Sequence, residues 1–190
     1  MNKFFFPLND GYYYGRRLNK ELRDILGGKL VQNSHATGLL CQAVRNSGDE
    51  NYFEIGSLYG GSAITAALTK KEFKLAGRII CVEPNPRSIL ENASIFGVKD
   101  RIKIHKMTSE EMYLMPDINV SCAFIDGDHR PPHPTQDWAK LAYVSSKYVI
   151  FDDVDKSEPG VTGAFHVALE YQNWNLVHFS DAIAIFERRL

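Results

Sequence analysis

The sequence predicts an α/β fold: a seven-stranded, mostly parallel sheet with helices on both faces and a C-terminal antiparallel hairpin. Three observations carry this. From Asn51 onward, short apolar runs alternate with stretches of helical spacing, the pattern of a parallel sheet with right-handed crossovers. The run Ser121-Cys-Ala-Phe-Ile125 shows no polar alternation, as expected of a strand buried on both faces. Near the end, Leu176-Val-His-Phe179 and Ile183-Ala-Ile-Phe186 flank Ser180-Asp181-Ala182, a hairpin signal with a short turn.

Residues through about Gly15 are aromatic and rich in turn formers. Leu18, Leu22, Ile25, Leu26 and Leu30 then recur at helical spacing. A second helix is expected from Ser34 to Asn46, with Ser34 as its cap and Gly48 as its stop. The first strand is Tyr52-Phe-Glu-Ile55, followed by a glycine-rich turn and a helix from about Gly61 to Thr69. Arg78-Ile-Ile-Cys-Val82 is the second strand. Its helix is expected to start at Asn85-Pro86, a cap with proline at the first helical position, and to stop at Gly97. Ile102-Lys-Ile104 is a third, short strand. Thr108-Ser-Glu-Glu111 has the form of a capping box before another helix. After the fourth strand comes a helix around Asp137 to Ser145, then the strand Lys147-Tyr-Val-Ile-Phe151. Val161, Phe165, Ala168 and Leu169 mark a last helix. A segment of residues 1–48, helical and cap-like, thus precedes a core of residues 51–190 within one domain.

The 190 residues, 44% hydrophobic and 24% charged, suit a single globular domain with a sizeable core. A formal net charge of -1 supplies no global attraction to nucleic acid or to an anionic membrane. The basic group Arg16, Arg17, Lys20 and Arg23 reads as a solvated helix face. Cys41, Cys81 and Cys122 are odd in number and lack metal-type pairing, which implies free thiols in a reducing, cytoplasmic compartment. The opening Met-Asn-Lys-Phe-Phe-Phe-Pro is too short an apolar run for a signal peptide, and no segment is long enough to span a membrane.

In open sheets of this kind, ligands bind outside the carboxyl ends of the strands, where the strand order reverses. The unusual residues fall there. Glu54-Ile-Gly-Ser-Leu-Tyr-Gly-Gly-Ser62 follows the first strand. Gly56 permits a tight turn, and Gly60 and Gly61 let backbone approach a ligand at a helix start. The same turn would equally serve a plain strand-to-helix connection. Glu83 ends the second strand, where a carboxylate accepts hydrogen bonds from both ribose hydroxyls of an adenosine ligand or helps to start the next helix.

Together, Glu-x-Gly-x-x-x-Gly-x-Ser and Val82-Glu83-Pro84-Asn85-Pro86 resemble the class I S-adenosylmethionine (SAM)-dependent methyltransferases, of Rossmann-like fold. Within them the chain resembles the metal-dependent O-methyltransferases of the catechol and sugar-modifying types. The resemblance spans about Asn51 to Asp155. It implies that Glu54, Gly56, Ser57, Gly60 and Ser62 line the methionine end of SAM, that Glu83 and Pro84 meet the ribose, and that Ser109 and Glu110 contact adenine. The capping box offers those last two a structural role as well. A dinucleotide oxidoreductase would more often carry Gly-x-Gly-x-x-Gly, which is absent here.

Ile125-Asp-Gly-Asp-His129 ends the fourth strand and Phe151-Asp-Asp-Val154 the fifth. Adjacent parallel strands bring Asp126, Asp152 and Asp153 towards one point, where three carboxylates repel unless a cation intervenes. Hard oxygen ligands suit Mg²⁺, Ca²⁺ or Mn²⁺ rather than Zn²⁺. In the resembled families, residues at these three positions hold a Mg²⁺-like ion, and Asp126 also borders the cofactor. Asp128 or Asp155 would instead cap a loop. His129 stands where catechol-type enzymes place a basic lysine, and sugar-modifying relatives share the wording Asp-Gly-Asp-His. His133 is its rival as base, and His166 is read as packing or surface. Two departures concern the substrate loop. Arg130-Pro-Pro-His-Pro134 replaces the tyrosine that often follows, and Val144-Ser-Ser-Lys147 replaces a Gly-Gly turn.

The resemblance implies methyl transfer to a small-molecule hydroxyl, of a diol, catechol or sugar, with His129 or Asp126 taking the proton. Three rivals remain: a metal-independent SAM methyltransferase acting on nitrogen, carbon or a macromolecule, a non-catalytic SAM-binding protein, and a nucleotide-binding oxidoreductase. Phe4 to Phe6 and Tyr12 to Tyr14 could form a lid, pack a homodimer or anchor the N-terminus. The amphipathic N-terminal helix pair is compatible with a homodimer.

Overall fold

A computed structural model describes residues 8–26, 32–115, 118–154, 157–180 and 183–189. Phe4 to Phe6, Leu30, Asp155 and the hairpin turn at Asp181-Ala182 lie outside these residues.

The described chain runs α1 (Asp10–Leu26), α2 (Ser34–Ser47), β1 (Asn51–Ile55), α3 (Gly61–Glu72), β2 (Ile79–Val82), α4 (Ile89–Ile95), β3 (Ile102–His105), a 3-10 turn (Ser109–Leu114), β4 (Val120–Ile125), α5 (His133–Val144), β5 (Ser145–Phe151), α6 (Pro159–Leu169), β6 (Trp174–Ser180) and β7 (Ile183–Arg188). The sheet order is β3-β2-β1-β4-β5-β7-β6. Strands β1 to β5 pair in parallel, while β7 is antiparallel to both β5 and β6. The second strand of the C-terminal hairpin inserts beside β5, and its first becomes the edge.

Alternate residues of each strand serve two cores, as the period of two requires. Tyr52, Cys81, Cys122, Phe124 and Ile150 face one core with α1 to α4. Phe53, Val82, Ala123, Ile125 and Phe151 face the other with α5 and α6. All six residues of β4 are buried, matching its unbroken apolar run. The three cysteines are free and buried. Arg16, Arg17, Lys20 and Arg23 are exposed along α1. Among the described residues, no helix is long and apolar enough to cross a membrane.

Several boundaries differ from expectation for local reasons. Helix α1 already includes Tyr12 to Tyr14 and Gly15, because Asn9 Oδ1 accepts from Gly11 N at 2.9 Å and starts the helix early. Gly15 is not a turn former there. A Cβ on it would lie 2.7 Å from Cys41 Sγ and 2.8 Å from Gly38 Cα, so it lets α1 and α2 cross closely. Asn33, not Ser34, caps α2, accepting from His35 N at 2.8 Å and Ala36 N at 2.9 Å. Helix α4 starts at Ile89 rather than Asn85-Pro86. The intervening backbone is engaged elsewhere, Asn85 N by Glu83 Oε1 at 2.8 Å and Arg87 N by Leu58 O at 2.8 Å. Helix α5 begins at His133, with Pro134 in its first turn, four residues before Asp137.

Strand order reverses between β1 and β4. The β1–β4 and β4–β5 ladders continue one residue past the strands, Asp126 N donating to Ile55 O at 2.9 Å and Asp152 N to Ile125 O at 3.1 Å. Those bonds hold the first residue after β4 and the first after β5 side by side.

Candidate active site

A cleft of about 510 Å³ opens at this reversal point. Gly56, Ser57, Ser62, Glu83, Pro84, Ser109, Glu110, Asp126 and His129 all line it. Glu54 and Gly60 do not. Gly60 supplies a left-handed residue, φ 85°, before α3. Glu54 is fully buried beside the turn, where Tyr52 Oη donates to its Oε2 at 2.7 Å.

Gly56 has φ 87°, and a Cβ on it would overlap the Asp126 carbonyl. A glycine at this point is therefore what allows the β1 turn and the β4 end to touch. Glu83 joins the same construction. Its Oε2 accepts from Leu58 N at 3.1 Å and its Oε1 from Asn85 N at 2.8 Å. Each carboxylate oxygen keeps a second lone pair for a ligand in the cleft. Glu83 thus organises backbone on both sides and also lines the cleft. The capping box is likewise formed, with Thr108 N donating to Glu111 Oε2 at 2.8 Å, and the 3-10 turn it starts presents Ser109 and Glu110 to the cleft.

Burial raises the Glu54 carboxyl from 4.5 to about 7, against the lowering pull of the Tyr52, Ser57 and Ser62 hydroxyls. The folded state thus holds the Glu54 proton more tightly than the unfolded chain does. Its contribution to stability is complete below about pH 4.5 and is lost as pH rises through about 7, at a cost of about 3 kcal/mol. Glu54→Gln removes this dependence. Urea unfolding at pH 5 and pH 8 should show the wild type losing more stability than the variant over that interval. Parallel losses would contradict the assignment.

At the other end of the cleft, His129 Nε2 lies 3.7 Å from Asp126 Oδ1 and 4.0 Å from Asp153 Oδ2, while Nδ1 lies 3.5 Å from Glu158 Oε2. Asp126, His129 and Asp153 each offer a ligand atom within 4.8 Å of the others. Asp152 is not in this closest group. Its Oδ2 accepts from Gln32 Nε2 at 3.2 Å. Burial raises the Asp126 carboxyl, and the neighbouring Asp152, Glu54 and Asp153 charges raise it further, while His129 lowers it. Burial and Asp153 raise Asp152. Contact with Asp126, and the charges of Asp126, Asp153 and Glu158, raise His129 from 6.5 to about 9. Asp153 sits at φ 55°, an uncommon conformation that aspartate tolerates better than most residues.

His133 lies elsewhere, 3.5 Å from Glu110 Oε1 and 3.9 Å from Asp128 Oδ2. It therefore borders the Ser109–Glu110 end rather than the carboxylates around His129. Asp128 caps its loop, as expected. It accepts from Arg130 N at 3.0 Å and from the Arg130 guanidinium, which holds its carboxyl below the usual range. His166 is exposed on α6. Gln32 and Glu158 are the polar neighbours that the sequence did not single out.

The arrangement is a cleft with the Glu83 carboxylate at one end and a carboxylate–imidazole cluster at the other. The chain matches a family profile described as a methyltransferase domain over residues 53–154. No curated protein matches it significantly in sequence. Among solved structures, it is similar to the S-adenosylhomocysteine (SAH)-bound methyltransferase PaMTH1 of Podospora anserina at 14% identity and a TM-score of 0.66, over 97% of this chain and 90% of that one. It is similar to the O-methyltransferase TomG of Streptomyces achromogenes, involved in tomaymycin synthesis and solved with SAM, at 16% identity and 0.66, over 95% and 90%. An O-methyltransferase from Bacillus cereus in complex with SAH gives 16% identity and 0.64, over 97% and 93%. At these identities the structural likeness speaks for the fold.

Proposed function

The chain belongs to the methyltransferase domain family, and on that premise we propose that it moves the methyl group of SAM to a small-molecule hydroxyl beside a divalent cation. The observation that carries the reading is the convergence of Asp126, His129 and Asp153 at one end of a cleft whose other end presents Glu83, Ser109 and Glu110. SAM and SAH in the related structures support the choice of cofactor.

The donor set fits a hard cation. Two carboxylates and an imidazole gather within reach of one ion, and Asp126, raised first by burial and then by the neighbouring carboxylates, would be relieved by a cation. Asp126 and Asp153 would hold it, with Asp152 as a further carboxylate, while His129 Nε2 faces the same point. Bound there, a methyl sulfonium supplies the transferable group and a metal ion lowers the pKa of a nearby hydroxyl.

The chain's own residues do the rest. The Glu83 carboxylate accepts hydrogen bonds from the ribose hydroxyls, and Ser109 and Glu110 meet the adenine. The Gly56–Ser57 backbone and Ser62 border the methionine part. The Asp126 and His129 side chains hold the acceptor hydroxyl and receive its proton, at Oδ1 or Nε2. His129 is protonated in the free protein near neutral pH, because carboxylates surround it. A cation held by these carboxylates would favour the neutral ring, with Nε2 open to the acceptor proton. Much of the acceleration would come from positioning two substrates in one cleft.

One observation favours a metal-independent variant. The His129 imidazolium already places a positive charge among the same carboxylates. Transfer from SAM to catechol, with a vicinal-diol sugar as second probe, separates the two readings. The metal-dependent reading expects EDTA to cut the rate at least about tenfold and Mg²⁺ to restore it. Full rate in EDTA would favour the imidazolium. No transfer to oxygen in any acceptor class would overturn the O-methyltransferase reading.

A further inference from the structure

His129 is held from a direction that neither strand end supplies. The first turn of α6 reaches it twice. Glu158, the residue before that helix, places Oε2 3.5 Å from His129 Nδ1, on the side of the ring opposite to Asp126 and Asp153. Gly160, in the first turn, lies against the His129 carbonyl so closely that a Cβ would overlap it, and that Cβ would stand 3.0 Å from Pro131. One contact acts on the side chain and the other on the backbone. They come from a helix start that shares no sequence motif with Asp-Gly-Asp-His.

An imidazole has two nitrogens, and the partner of one decides what the other can do. With Nδ1 facing a carboxylate, the ring turns Nε2 towards Asp126 and Asp153, at 3.7 and 4.0 Å. Removing Glu158 leaves the ring free to rotate about Cβ–Cγ, with three carboxylates reduced to two on one side. Outer partners of this kind matter both for bases and for ligating histidines.

We propose that Glu158 is a positioning residue for His129, fixing the ring so that Nε2 faces the reacting end of the cleft. The proposal rests on His129 acting as read above. Glu158 touches neither the adenosine end of the cleft nor Gly56, so its loss should spare cofactor binding. Its side chain is 39% exposed, which makes substitution compatible with folding. Gly160 makes the matching backbone contact, but a variant there must displace the His129 carbonyl and so is the less clean probe.

The test compares Glu158→Ala and Glu158→Gln with the wild type. In the ligand-free protein, proton–nitrogen NMR of the His129 Nδ1–H, whose signal persists only where a partner slows its exchange with water, reports whether that proton is held. Alanine should lose that signal and glutamine, which keeps an acceptor oxygen, should retain it. With SAM and catechol, alanine should lower kcat about 10- to 100-fold. SAH affinity and KM for SAM should stay within about twofold, and glutamine should recover much of the loss. A wild-type ring spectrum and kcat in Glu158→Ala would overturn the proposal. So would a loss that appears in SAH affinity, since that marks a general disturbance of the cleft. If the wild type does not methylate catechol, the ring spectrum alone decides the positioning role, and it is the choice of reaction that fails.

Discussion

Asp126→Ala is expected to lower kcat for methyl transfer by about 10²- to 10⁴-fold, the range typical of a positioned proton acceptor. It should do so without unfolding the protein. Asp126 stands where the β1–β4 ladder ends, and its backbone N–H, which the substitution keeps, makes the structural bond to Ile55 O. Its side chain does the reverse of stabilising. Burial and the charges of Asp152, Glu54 and Asp153 raise its carboxyl, and the His129 contact offsets them only in part, so the fold tolerates this charge against a net electrostatic cost. Thermal unfolding of Asp126→Ala should therefore occur at or above the wild-type temperature while activity is lost. Asp126→Asn separates shape from charge, because it keeps the side-chain volume and should be nearly as inactive. A variant that retains activity, or one that melts well below the wild type, would show that Asp126 is a structural carboxylate.

Glu83→Ala should weaken SAH binding by about 10²- to 10⁴-fold. Hydrogen bonds to a charged group contribute about 1.5–3 kcal/mol each, and under the proposed function two ribose hydroxyls meet this carboxylate. Glu83 also holds Leu58 N and Asn85 N, so truncation loosens both the glycine turn and the chain entering α4. Glu83→Gln distinguishes the parts. Its amide keeps one acceptor oxygen but turns the other position into a donor, facing a backbone N–H that needs an acceptor. Calorimetric titration of SAH should rank wild type, glutamine and alanine in falling affinity. Equal affinity across the three would place the ribose elsewhere.

Much of this site was legible in the sequence because its parts sit at strand ends. Apolar runs located β1, β2, β4 and β5, and the residues just past them became Gly56, Glu83, Asp126 and the Asp152–Asp153 pair. What the sequence could not show is which carboxylate a distant side chain would claim. Gln32 reaches Asp152 across 120 positions, and the closest group is Asp126, His129 and Asp153. Glu158 faces His129 only because α6 packs back under the loop after β4. Helix starts were misplaced where a neighbouring side chain won the backbone. Asn9 began α1 early, Asn33 displaced Ser34 as cap, and Glu83 delayed α4. Gly15 read as a turn residue because glycine has two uses, and close helix crossing leaves no local mark. The insertion of β7 beside β5 is a tertiary choice that a hairpin pattern does not encode.

Everything about the cleft turns on whether it takes an adenosine-bearing sulfur ligand. The most direct measurement is calorimetric titration of SAH into the purified wild-type protein, with and without Mg²⁺. The account predicts one site per chain with micromolar or tighter affinity in both conditions, because the residues assigned to the cofactor lie mainly at the glycine turn, Glu83 and the 3-10 turn. Absence of binding in both conditions would contradict it, leaving the glycine turn and Glu83 as a well-built junction between β1, β2 and α4 that serves some other ligand.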